Sequence, residues 1–166
     1  MRPELVAGTR VSARIARAFE KELCTNVYAV LHLNRHVESV LGTRTIYVCE
    51  AKLLMKRIAQ RARGKSTYRR LPELERFLPN AISIEKLDDG PHLNVMIRRP
   101  ENWDFETFRT MFLTEWIKSP WAASGAGAIH IQPREVGTDL FGYIHKEGDE
   151  TLVHETLRFH RLRSGA

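Results

Sequence analysis

Ile82-Ser83-Ile84-Glu85-Lys86, then Leu87-Asp88-Asp89-Gly90-Pro91, then His92-Leu93-Asn94-Val95-Met96-Ile97 follow one another along the chain as two short apolar runs joined by turn-forming residues. Successive side chains of a strand point to opposite faces, so His92 and Asn94 share one face while Leu93, Val95 and Ile97 take the other. If the connection is a symmetric hairpin, Glu85 lies directly across from His92, with Cβ atoms about 5 Å apart, and one cation can touch Glu85, His92 and Asn94 together. A three-residue loop with a bulge at Gly90 sets Glu85 opposite Leu93 instead and divides the cluster between faces. Both registers fit the residues.

Outward from this hairpin the chain alternates helical and strand patterns. Val11, Ile15, Phe19 and Leu23 recur at four-residue steps with Arg10, Arg14, Arg17 and Lys21 between them, an amphipathic helix over residues 9–23. A β-rich run follows at 26–33, then a helix over about 48–62 that ends near Gly64, then a loop or short helical turn around Pro72 and Pro79. After the hairpin, Asp104 is a plausible N-cap for a helix whose Phe105, Phe108, Phe112 and Trp116 form a core stripe. The Gly/Ala/Ser-rich 119–127 reads as a loop and 128–132 as a strand. Residues 136–146 have helical spacing, and 149–163 reads as a last helix with a basic end. Mixed elements around a central hairpin predict a single α+β domain: a central antiparallel sheet with helices packed mainly on one face and the other open.

Composition agrees with one domain. The chain has 166 residues, 43% hydrophobic and 28% charged, enough for one core. It has no run of about 20 apolar residues to cross a bilayer, and its start lacks the apolar segment of a secretory signal, so a cytoplasmic protein without membrane contact is expected. Cys24 and Cys49 show no Cys-x-x-Cys spacing, which argues against a thiolate zinc site; both are expected as buried small hydrophobes. Gly64-Lys65-Ser66 lacks the upstream glycine of a phosphate-binding loop, and Gly125-Ala126-Gly127 lacks the context of a dinucleotide loop.

The formal charge of +6 is unevenly spread. Residues 1–83 hold sixteen Lys and Arg against seven acids, and residues 84–166 hold ten against thirteen. Lys56, Arg57, Arg61, Arg63, Lys65, Arg69 and Arg70 form a stretch without an acid, which reads as a surface for a phosphate backbone. Tyr143 and Lys146 are three apart on the helical pattern of 136–146, with Asp139 one turn earlier, so a phenol and an ammonium point the same way. Such a pair can act on a phosphate when a cation or metal makes the phenol a competent nucleophile.

In that order and spacing the chain resembles the HUH superfamily of single-strand endonucleases: the Rep initiators of rolling-circle replication, the relaxases and the single-strand transposases. The resemblance runs over about residues 25–148. The His-hydrophobic-His strand motif is matched by Pro91-His92-Leu93-Asn94-Val95, the neighbouring carboxylate by Glu85, and the Tyr-x-x-Lys motif by Gly142-Tyr143-Ile144-His145-Lys146. The departure is Asn94, which stands where the second metal histidine belongs. The resemblance implies an RRM-like palm and a Rep-type initiator with one catalytic tyrosine. Mg²⁺ or Mn²⁺ on Glu85, His92 and Asn94 would assist Tyr143, with Lys146, in nicking single-stranded or hairpin DNA at an origin. A 5′-phosphotyrosine would form and joining would reverse it, with any helicase supplied in trans. A non-catalytic nucleic-acid-binding module on the same architecture and a transposase of the same superfamily are the alternative expectations. His32, His36 and His130 are candidates for supporting or nucleic-acid contacts.

Overall fold

The computed structural model describes residues 25–34, 40–87, 89–134 and 151–158, with backbone alone at 40–42. Strand β1 (Val27–His32) leads into helix α1 (Val40–Arg63), the short helices α2 (Lys65–Arg70) and α3 (Glu73–Arg76), strands β2 (Asn80–Glu85) and β3 (His92–Ile97), helix α4 (Phe105–Trp116) and strand β4 (Ile129–Pro133). The strands form one sheet in the order β2-β3-β1-β4, every neighbouring pair antiparallel. It follows that β1 and β2 run parallel with β3 between them, and β3 and β4 run parallel with β1 between them. Each helical connection therefore crosses one strand, and two β-α-β units interlock. The coarse expectation, α+β with an antiparallel sheet, holds.

One sheet face makes the core. Val27, Ala29 and Leu31 of β1, Ile82 and Ile84 of β2, and Leu93, Val95 and Ile97 of β3 join one buried cluster with Tyr47, Leu54, Met55 and Ile58 of α1 and Phe108, Phe112 and Trp116 of α4. The period of two in the strands meets the stripes of both helices, so both helices pack on this face. Helix α4 starts as expected: the Asp104 carboxylate accepts from the Thr107 backbone N–H at 2.9 Å and from its hydroxyl at 2.6 Å. These bonds, the hydroxyl's first, hold the Asp104 carboxyl below the usual carboxylate range.

Several expectations need correction. Helix α1 begins eight residues before the expected 48, at Val40. Thr43-Arg44-Thr45-Ile46-Tyr47-Val48 is rich in β-branched and aromatic residues and looks like a strand, but Thr43 and Tyr47 are buried one turn apart, and packing overrides propensity. Cys49 is exposed rather than buried, on the outward side of α1. Over 151–158 the chain is not the expected helix. It lies along the outer edge of β2 through bridges from Leu152 to Ser83 and from Arg158 to Asn80. Val153 N–H donates to the Ile82 carbonyl at 2.8 Å, Arg158 N–H to that of Asn80 at 3.2 Å, and the Asn80 amide to the Thr156 carbonyl at 2.8 Å. An unpaired strand edge offers donors and acceptors that a separate helix would leave unmet. Cys24 and the expected helices over 9–23 and 136–146 lie outside the described residues.

Phe112 is fully buried where α4 meets the sheet. Phe112→Ala should cost about 3–5 kcal/mol of folding free energy, read as a lowered urea midpoint with the slope unchanged.

Candidate metal centre on the polar face of the sheet

The register settles the hairpin. Glu85 pairs with His92, Ser83 with Asn94 and Ala81 with Met96 across β2 and β3, so the bulged alternative is not adopted. The connection from Lys86 to Pro91 takes its reversal at Lys86, with φ of 53°, and at Gly90, with φ of 71°. On the other side of β3, His32 of β1 pairs with His92, Val30 with Asn94 and Tyr28 with Met96. Paired residues share a face, so the side opposite the core carries rows that run across the strands. One row is Glu85-His92-His32. The next is Ser83-Asn94-Val30, continued onto β4 by His130.

Within the first row the Glu85 Oε2 and His92 Nε2 atoms are 3.5 Å apart, and the His92 and His32 ring centroids are 5.4 Å apart. His92 Nδ1 lies 3.1 Å from the Gly90 carbonyl oxygen. A carbonyl can only accept, so Nδ1 carries the hydrogen and Nε2 is the ring atom turned to the carboxylate, with a lone pair there whenever it carries no proton. A lone pair facing a carboxylate oxygen needs a proton or a cation between them. Two ligands each about 2.1 Å from one ion, at ordinary coordination angles, stand roughly 3.0–3.4 Å apart, so the 3.5 Å gap suits shared coordination. The Nδ1–H bond to a backbone carbonyl is also how a metal-ligating histidine is usually oriented. The Glu85–His92 pair therefore fits a divalent ion.

Asn94 does not join them as expected. Its Oδ1 accepts from the Tyr28 hydroxyl at 3.0 Å, and its Nδ2 lies 3.5 Å from Ser83 Oγ. This chain of polar contacts crosses β1, β3 and β2 and is buried, with Asn94 2% exposed and Ser83 fully covered. The face is thus closed over its β2–β3 half, not open as expected, while His130 and Gln132 on β4 are exposed and bonded to each other at 3.1 Å. Among the described residues no three His, Cys, Asp or Glu side chains are already gathered as a finished metal cage. Tyr143 and Lys146 lie outside the described residues.

Arg57 and Arg61 of the basic stretch do not share this face. Glu115 of α4, 2% exposed at its side chain, draws Arg61 at 3.1 Å, Arg57 at 3.9 Å and Lys118 at 2.7 Å, all on the helical layer behind the core. Arg63 is half-buried, and burial, against the opposing charge of Glu75, pulls its guanidinium below the usual value. Lys56 on α1 and Lys65, Arg69 and Arg70 on α2 are exposed. Reading the chain alone missed Tyr28 and Ser83 as members of the polar face, and Glu115 as an acid that binds two of the expected nucleic-acid contacts. Strand parity places Tyr28 with His32 but says nothing of which strands are neighbours.

Burial, then the nearby His92 and Lys86, lowers the His32 pKa from 6.5. The unfolded chain therefore binds the proton more readily, and stability present above pH 6.5 falls as pH drops toward the lower folded value. In chelator, urea midpoints should fall from pH 7.5 to pH 5.5, and His32→Gln should flatten that slope. Tyr28→Phe, which strips the Asn94 carbonyl of its donor in a closed site, should destabilise by about 1–3 kcal/mol in the same assay.

No protein-family model, curated protein or solved structure matches this chain, which leaves the chemistry of its polar face to speak for function.

Proposed function

We propose that this chain is a metal-dependent endonuclease of single-stranded DNA, of the Rep-type HUH kind, built on an RRM-like palm. The observation that carries the reading is the Glu85–His92 arrangement. A carboxylate oxygen and the Nε2 atom of an oriented imidazole face each other across 3.5 Å on the two strands where that family keeps its metal ligands. The interlocked β-α-β units and the strand order β2-β3-β1-β4 support it, because they are the topology of such a palm.

On this reading Glu85 and His92 hold Mg²⁺ or Mn²⁺, which when bound supplies Lewis-acid polarisation of the scissile phosphate. The Tyr143 phenol loses its proton, with Lys146 favouring the phenolate, and its oxygen attacks phosphorus in line. The P–O3′ bond breaks, the 3′ oxygen takes up a proton, and a 5′-phosphotyrosine remains. Religation runs the same exchange backward, so no nucleotide hydrolysis is required. Origin recognition, a cytoplasmic setting and a helicase acting in trans go with the same proposal. Among the described residues no helix is long and apolar enough to cross a membrane.

The engaged amide of Asn94 favours a second reading, a nucleic-acid-binding module on the same sheet that does no chemistry. Labelled single-stranded and hairpin oligonucleotides incubated with the protein and Mn²⁺ separate the two. The endonuclease should leave a protein–DNA adduct that survives denaturation, lost in Tyr143→Phe and no longer metal-responsive in His92→Ala. Salt-sensitive binding without any adduct, across oligonucleotides of varied sequence, would overturn the nuclease and leave the module.

A further inference from the structure

We propose that His32, rather than Asn94, completes the divalent-cation site with Glu85 and His92, giving one carboxylate and two imidazoles and a preference for Mn²⁺ over Mg²⁺. The inference rests on the metal-dependent reading above and names the donor set of that site.

Glu85, His92 and His32 are directly paired in one row across β2, β3 and β1, so the central imidazole has a donor on each flank. Opposed residues on antiparallel strands have Cβ atoms about 4.5–5.5 Å apart, within reach of side chains of this length. The 5.4 Å between the His32 and His92 ring centroids suits two imidazoles on one ion. With nitrogens about 2.1 Å from the metal, two such rings place their centroids roughly 4.6–5.3 Å apart, the observed spacing lying at the wide end. Binding then needs only the flanking His32 side chain to turn toward the Glu85–His92 pair.

Asn94 is less well placed. It sits one row away, two residues along β3, and using its carbonyl as a ligand would compete with the Tyr28 hydroxyl inside a closed site. His32 is only part-buried and lies on the sheet face away from the core, so turning its ring would not open the core. The second imidazole of the site thus comes from the adjacent position on β1, not from two residues along β3.

Two nitrogen donors and one carboxylate suit a transition ion, whereas Mg²⁺ prefers oxygen and keeps its water. That difference makes the donor set measurable without any cleavage assay. Mn²⁺ alone is titrated into the full chain, with free Mn²⁺ read by electron paramagnetic resonance and folding checked by circular dichroism. The wild type should bind Mn²⁺ with weak competition from Mg²⁺. His32→Gln should lose about tenfold to a hundredfold in affinity, and Asn94→Ser should change it little. With Cu²⁺ as probe, pulsed resonance should count two coordinated imidazoles in the wild type and one in His32→Gln. Unchanged affinity and imidazole count in His32→Gln, with loss in Asn94→Ser, would overturn the role of His32 and leave metal-dependent chemistry standing. A wild type that binds no Mn²⁺ at millimolar concentration would overturn both.

Discussion

β3 lies between two antiparallel partners, and its pairing on each side decides where every other feature of the sheet can be. With Glu85 across from His92 on one side and His32 across from it on the other, Leu93, Val95 and Ile97 point into the helices, and His92, Asn94 and Met96 point away. A slip of one residue on either side would exchange those sets, expelling three fully buried side chains from the core and pressing an imidazole and an amide into it. The hydrophobic effect on one face therefore holds the register that aligns chemistry on the other. Burial of each such aliphatic side chain stabilises by about 1.5–3 kcal/mol, so the row Glu85-His92-His32 is held by forces that do not act on those three residues themselves.

Two rows on the polar face divide their tasks according to whether their groups can satisfy one another. In the Ser83-Asn94 row the hydroxyl, the amide and the nearby Tyr28 phenol supply both donors and acceptors, so the row can close over without a ligand. In the Glu85-His92-His32 row the only hydrogens are those on the imidazoles, and His92 spends its Nδ1–H on the Gly90 carbonyl. That leaves His92 Nε2 directed at the Glu85 carboxylate, an arrangement that a shared proton or metal ion suits. Lys86, which lies close enough to influence His32 electrostatically, adds positive charge beside this row without occupying it.

Local pattern made much of this legible. The alternation in 92–97, the Asp104 cap and the aromatic stripe of α4 each depend on neighbours within one or two turns, and each agrees with the fold. The symmetric hairpin was one of two registers open to the residues, and it is the one that buries Ile82 and Ile84 with Leu93. Features that depend on distant partners were not legible. His32 becomes a flank of His92 only because β1 sits beside β3, sixty positions apart in sequence. The 151–158 segment has helix-like spacing at Leu152, Thr156 and Leu157, yet the unpaired edge of β2 recruits it into bridges. Residues 43–48 show the converse, strand-like in composition and helical in fact, because Tyr47 has the sheet to pack against and a hydroxyl bond to the Asn34 carbonyl at 2.7 Å.

The position of positive charge bears on how a nucleic acid would approach. Arg57 and Arg61 are drawn to Glu115 between α1 and α4, a helical layer away from the polar face. Helix and sheet layers are separated by about 10 Å, close to the Debye length at physiological ionic strength. Charges on the far layer therefore add to the general attraction of a polyanion but are largely screened from a phosphate held beside His92. Positioning of such a polyanion over the polar face would fall instead to groups on that face. Lys86 and the exposed His130 and Gln132 flank its accessible half, which runs from the hairpin turn across β1 to β4. A strand laid along that half would meet the Glu85-His92-His32 row at the hairpin end, where the face passes from exposed to closed. If the domain binds a nucleic acid as proposed, attraction and alignment would thus come from different layers, and salt would weaken the first far more than the second.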